Sequence, residues 1–175
     1  MCHSHEFGPV ISRREAVLAL AASAILPRTA GASGHRAGSY RDAADGAQRW
    51  LARHAISTAD GVTWAADPTD PGTQQANLYS GAPGVLLFLA EHAKVTGNSR
   101  SLDLAVRGAD ALRAAVERAR GARAAGRETT FDGEGTGLYT GLAGITFLLE
   151  RVHALTGDAR HRRGAEAALG LLIAS

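Results

Sequence analysis

Few side chains in this 175-residue sequence are placed to do chemistry. Asp132 and Glu134 flank Gly133 just before a glycine-rich segment. A carboxylate on such a loop is a candidate general acid or base, and the plain alternative is a solvated loop acid. Trp64, Tyr79 and Tyr139 are candidate substrate-binding residues, because their amphipathic rings can stack on a peptide or a sugar. The competing role for the tyrosines is to pack a turn against the next helix, and for Trp64, on an irregular loop, to cover the ends of a hairpin. Cys2, His3 and His5 have the types that bind zinc. They precede a hydrophobic segment that reads as a removable signal, so no metal site is assigned to them. His54, His92 and His153 fall in helical patterns and are read as packing or surface residues. The one cysteine excludes an intrachain disulfide and a multi-cysteine metal site.

The elements that must position these residues come from a repeat. Asn77-Leu78-Tyr79-Ser80-Gly81-Ala82-Pro83-Gly84-Val85 returns 60 residues later as Gly137-Leu138-Tyr139-Thr140-Gly141-Leu142-Ala143-Gly144-Ile145. The match runs on to Thr96-Gly97-Asn98 against Thr156-Gly157-Asp158. A fixed period of this size marks one supersecondary unit used more than once. In the first copy Ser80 reads as a helix N-cap and Pro83 suits the first turn. The helix from Pro83 to about Val95 opens with five consecutive apolar residues, Val85 to Leu89, so it is expected to be buried on most sides. Gly97 stops it as a left-handed residue, and Asn98 or Ser99 caps the next helix. The helix N-termini after Gly81 and Gly141 offer free N–H groups to an anion, a generic signal.

The partner helix, Ser99 to about Arg120, carries an apolar stripe at Leu102, Ala105, Ala109, Leu112 and Val116. Asp103–Arg107 and Arg113–Glu117 are spaced to pair on its wet side. A polar loop from Gly121 to Gly137 leads into the second copy, which has a buried helix to Leu155 and a half-exposed one from Ala159 onward. The unit is an αα-hairpin. Upstream, Tyr40 to Ile56 reads as an amphipathic helix with Ala43, Ala47, Trp50, Leu51 and His54 on one side. Val62 to Ala65 reads as a short extended piece, and Asp67 to Gly72 as a loop. The fold class is all-α, with about two hairpins and one leading helix. Inner helices need neighbours on both sides, and the sequence closes on apolar Leu171-Leu172-Ile173, so a longer array is expected.

Composition agrees with packed helices: 45% of residues are apolar, 21% charged and only 5% aromatic. The formal charge of +2, with no basic run interleaved with aromatics, argues against nucleic acid as a partner. Residues 1–32 read as an export signal. Ser12-Arg13-Arg14 precedes an apolar stretch from Ala16 to Leu26 that is too short to span a bilayer, and Ala30-Gly31-Ala32 supplies small residues for cleavage. Paired arginines are of the twin-arginine type. The expectation is engagement with the export machinery, no stable membrane insertion after signal removal, and a periplasmic or extracellular mature chain. Residues 33–39 read as a linker, and 40–175 as the folded domain.

Leu-Tyr-Ser-Gly-Ala-Pro-Gly-Val-Leu-Leu-Phe-Leu (78–89) and Gly-Leu-Tyr-Thr-Gly-Leu-Ala-Gly-Ile-Thr-Phe-Leu-Leu (137–149), each followed by its Thr-Gly stop, resemble the repeats of the lanthionine synthetase C-like (LanC-like) family. The resemblance covers roughly residues 40–175. It implies an (α/α)-toroid of the six-hairpin type, with the glycine turns at the mouth of the ring where the family's active site lies. It further implies a zinc-dependent, thioether-forming, peptide-modifying enzyme. Zinc is implied by the resemblance alone, and no ligand set is present in these residues. The family's cyclases commonly carry an aspartate where this chain has Asn77 and Gly137. Two other readings fit the same hairpins: a carbohydrate-active six-hairpin enzyme, in which Asp132 and Glu134 would be the acids, and a non-catalytic helical repeat that binds peptide. The substrate is accordingly a peptide, or a small molecule or glycan.

Overall fold

The computed structural model describes residues 32–129, 131 and 135–174. It divides into two units, Met1–Tyr40 and Arg41–Ser175. Of the first, the described part is the start of helix α1 (Ala32–Arg53). That helix begins upstream of the expected Tyr40, so residues 33–39, read from the sequence as a linker, are helical. Their two glycines lower helix propensity by about 1 kcal/mol each without forbidding the conformation.

Arg41–Ser175 holds the rest of α1, two short β-hairpins and two αα-hairpins. The first β-hairpin pairs β1 (Ile56–Thr58) with β2 (Gly61–Thr63), and the second pairs β3 (Ala65–Asp67) with β4 (Asp70–Gln74). The sequence reading placed one extended piece at 62–65 and a loop at 67–72. Val62 to Ala65 is instead divided between the two hairpins, with Trp64 at the joint. The Asp67–Gly72 segment turns tightly because Asp67 Oδ1 accepts from the Thr69 amide at 2.8 Å and hydroxyl at 2.7 Å. Those same hydrogen bonds hold the Asp67 carboxyl below its ordinary pKa.

The αα-hairpins are α2 (Ala82–Thr96) with α3 (Ser99–Ala124), and α4 (Leu142–Thr156) with α5 (Ala159–Ile173). The stops are as expected. Gly97 and Gly157 both adopt φ 72°, and their amides bond back to the Ala93 and His153 carbonyls. Asn98 and Asp158 then cap α3 and α5 by accepting from the Ser101 and Arg160 amides. The start of α2 differs from expectation. Its cap is Gly81, with no side-chain cap bond, because the Ser80 hydroxyl is drawn to Gln75 Oε1 instead. Pro83 does sit in the first turn.

The inner helices α2 and α4 carry the core, with Leu86, Leu89, Ile145, Leu148, Leu149 and Val152 all sealed from solvent. Each such side chain contributes about 1.5–3 kcal/mol on burial. On α3 the buried stripe is Leu104, Ala105, Gly108, Ala109, Leu112, Val116 and Ala119. Leu102, placed in that stripe by spacing, is 36% exposed. Arg113 pairs with Asp110, and Glu117 with Arg120, rather than with each other, whereas Asp103–Arg107 forms as expected at 3.6 Å. The packed face of α1 is likewise rotated from the expected stripe. Gln48 is buried and Leu51 and Ala52 half-buried, while Ala43 and Ala47 are exposed. One residue's rotation on a helix is about 100°, enough to exchange the wet and packed sides.

Candidate functional site

The two glycine turns are built alike from the backbone. The Ala82 amide donates to the Gln75 carbonyl, and 60 residues on the Leu142 amide donates to the Gly135 carbonyl, both at 3.1 Å. Gly84 and Gly144 donate to Gly81 and Gly141 in the same way. Much of the N–H capacity that the helix starts offered to an anion is thereby taken. A Cβ on Gly84 would strike the Leu78 carbonyl, and one on Gly144 the Leu138 carbonyl. The turns also join each other. The Tyr79 amide donates to the Tyr139 carbonyl at 3.0 Å, and Leu78 packs on Gly144, where a Cβ would come within 3.0 Å of its side chain. Below them Arg151 of α4 pairs with Glu91 of α2, again 60 residues apart, through a 3.0 Å bond from Nε. Asn77 braces the first turn by accepting from the Ser80 amide at 2.9 Å. Gly137 has no side chain to do the same in the second.

Beside the first turn lies a groove of about 530 Å³. One wall is Trp50 and His54 of α1, stacked with ring centroids 4.1 Å apart. The other is Tyr79 and Phe88, and Pro68 and Pro71 of the second β-hairpin close one side. Trp64 forms the floor: it is 3% exposed, and its indole N–H donates to the Leu51 carbonyl at 2.9 Å. Trp64 and Tyr79 are thus brought together, as a binding role requires. Tyr79 stands 81% exposed and Tyr139 67% exposed, so neither packs its turn against a helix. Tyr139 is not among the lining residues, and its carbonyl accepts from the Tyr79 amide. Asp132 and Glu134 lie outside the described residues, as do Cys2, His3, His5, Arg13 and Arg14. Sequence reasoning missed Trp50, His54 and Phe88 as groove residues. The four-residue spacing of Trp50 and His54 was the available signal.

An aromatic and proline-lined groove can hold flat or apolar groups, but its reactive inventory is small. Among the described residues its titratable side chains are His54 and Tyr79, and no carboxylate of these residues lines it. A second polar constellation sits away from the glycine turns. His92 Nε2 bonds to Asp45 Oδ1 at 2.8 Å, and His92 Nδ1 lies 2.9 Å from the Ser101 hydroxyl. A carboxylate only accepts, so Nε2 donates to Asp45, and the Ser101 hydroxyl also donates to Asn98 Oδ1 at 3.2 Å. The order Asp–His–Ser is that of a hydrolase triad, yet Ser101 is fully buried. A nucleophile sealed from solvent meets no substrate, so this is a clasp tying α1 to the first hairpin. Sequence reading expected a packing or surface role for His92, and its partner Asp45 stands 47 residues away, too far off in sequence to be found.

Paired helices, one buried and one half-exposed, launched by interlocked glycine turns beside an aromatic groove, define a helical-repeat protein. The family described as lanthionine synthetase C-like protein matches residues 72–170, which covers both turns and most of both hairpins. The chain belongs to that family. No curated protein and no solved structure matches it.

The family's zinc finds no holder here: among the described residues no group of three His, Cys, Asp or Glu side chains could bind a metal ion. No helix among them is long and apolar enough to cross a membrane.

Proposed function

We propose that this LanC-like chain serves a peptide-modifying, thioether-forming reaction by holding the peptide in the aromatic groove beside the first glycine turn. The observation that carries the reading is the joint placement of Trp64, Tyr79, Trp50 and Phe88 around one groove, on a chain of this family. Apolar side chains of an extended peptide, dehydrated residues included, fit such walls, and the exposed rings lose little conformational freedom on binding. The described residues do not fit zinc, so no chemical step is assigned to them. Their part is to bind and orient.

The test uses a fluorescein-labelled peptide containing serine, threonine and cysteine residues together with dehydroalanine. Tyr79→Ala is expected to weaken its binding about tenfold, the effect of losing one aromatic anchor. The urea midpoint should stay unchanged, because the ring is exposed. Unchanged peptide binding in Tyr79→Ala and Trp50→Ala together, or displacement of the peptide by oligosaccharides, would sink the proposal and favour a glycan-directed groove.

The proposal extends to location: the chain acts after export, driven by Arg13 and Arg14. Changing both to lysine is expected to hold the full-length protein in the cytoplasm. Equal appearance outside the cytoplasm for both forms would rule out twin-arginine export.

A further inference from the structure

A second groove, also about 530 Å³, lies on the outer helices, between α3 and α5. Arg113 and Arg120 line it from α3, and Arg160 and Arg163 from α5, against Glu117 and Glu166. The lining therefore carries a surplus of two positive charges. Gly164, Ala167 and Gly170 also line it, one helical turn apart. Their lack of bulk lets a backbone come close.

The arginines are unevenly committed. Arg160 is bound to Asp158, through Nε at 2.9 Å and Nη2 at 2.7 Å. Arg120 shares a 3.2 Å contact with Glu117, and both side chains are about half exposed. Arg163 has no ion pair among the described residues. Arg113 is fixed by its stem. A Cβ on Gly164 would come within 2.9 Å of Arg113 Cγ, so the missing side chain is what allows Arg113 to cross α5. Its Nε is buried with no hydrogen bond, 3.8 Å from Asp110 Oδ1, too far for one.

We propose that this groove binds an acidic peptide segment in polyproline II form, with two carboxylates three residues apart and neutral residues between them. Arg113, Glu117 and Arg120 share one face of α3. Seven residues along a helix span about 10.5 Å, and a polyproline II chain covers most of that distance in three residues at about 3.1 Å each, bringing its side chains back to the same side. Carboxylates at i and i+3 would meet Arg113 and Arg120, while Glu117 between them repels an acid at i+1 or i+2. Arg163 holds the segment from the opposite wall. Guanidinium groups suit this role because they grip a carboxylate in a planar, two-point fashion. The proposal does not rest on the aromatic groove or on thioether chemistry.

The experiment is fluorescence anisotropy on the full chain, with a labelled glycine-serine peptide bearing glutamates at i and i+3. Binding is expected to weaken about tenfold as salt rises from about 20 to about 200 mM. The double variant Arg120→Gln/Arg163→Gln should bind about tenfold more weakly, at an unchanged urea midpoint. Peptides with glutamates at i and i+2, or with glutamines, should also bind about tenfold more weakly. Absence of binding, equal binding of the glutamine peptide, or indifference to the double variant would overturn the proposal. Full displacement by millimolar inorganic phosphate would also overturn it, in favour of a small-oxyanion site.

Discussion

Gly144→Ala is expected to lower stability by about 3 kcal/mol, the upper range for forcing an atom into a packed site. Gly97→Ala, in contrast, should cost about 1 kcal/mol, the price of left-handed backbone for a residue with a Cβ. The difference follows from what each new methyl group meets. At Gly144 it strikes the Leu138 backbone carbonyl and comes within 3.0 Å of Leu78, which belongs to the other repeat. A carbonyl held in a turn cannot step aside as the end of a long side chain can. At Gly97 nothing lies within 4 Å, and only φ 72° is unfavourable. Urea unfolding of the two variants measures the contrast. Equal losses would mean that the turns are not interlocked as described.

The two buried histidines should respond in opposite directions to replacement by leucine. His92→Leu takes from the Asp45 carboxylate its histidine partner and from the buried Ser101 hydroxyl one of its two partners, the other being Asn98 Oδ1, at a cost of about 2 kcal/mol. His161 is just as buried, but neither of its ring nitrogens has a hydrogen bond. Asp110 stands 3.6 Å away. His161→Leu should therefore be neutral, or stabilising by about 1 kcal/mol, near pH 7. Burial holds the His161 pKa below its ordinary value, while Asp110 and Asp158 oppose that shift and Arg160 and Arg113 add to it.

The unfolded chain consequently takes up this proton at a higher pH than the folded chain does. Stability should fall as pH drops from about 6.5 toward the lowered native value. The slope in that window should vanish in His161→Leu. A separate loss follows further down, as Asp158, lowered to about 2 chiefly by its hydrogen bonds to Arg160, is protonated. Urea midpoints recorded from pH 7 to pH 5 decide the matter: an undiminished slope in His161→Leu would refute the assignment.

What was legible in the sequence was local. Gly97 and Gly157 marked helix ends because a left-handed residue and a following cap are written in adjacent letters. The hairpins followed from them, and the family matched over residues 72–170 agrees. What was hidden depends on tertiary partners. The buried side of α1 is decided by what covers it, and the spacing of small and aromatic residues did not reveal that Gln48 faces inward. Leu102 looked like a core residue until Leu104 proved to be the buried one. The β-hairpins are three to five residues per strand, too short for an alternating pattern to register. Of the groove residues, Trp64 and Tyr79 could be named by type. The groove they form with Trp50 and Phe88 required knowing how α1 lies beside α2.

The bond between the Tyr79 amide and the Tyr139 carbonyl also sets where the chain can tolerate a change of length. Residues added after Ala124 enter the connection between hairpins and leave the partnered atoms 60 positions of structure apart in the same relation. One residue added or removed between Asn77 and Gly84, or between Gly137 and Gly144, would shift a carbonyl out of reach of its amide and turn Leu78 away from Gly144. Homologues and engineered chimeras should therefore differ freely in the length of that connection and keep the two glycine segments at constant length. Grafting a hairpin from a relative should succeed when the cut falls in the connection and fail when it falls within a turn.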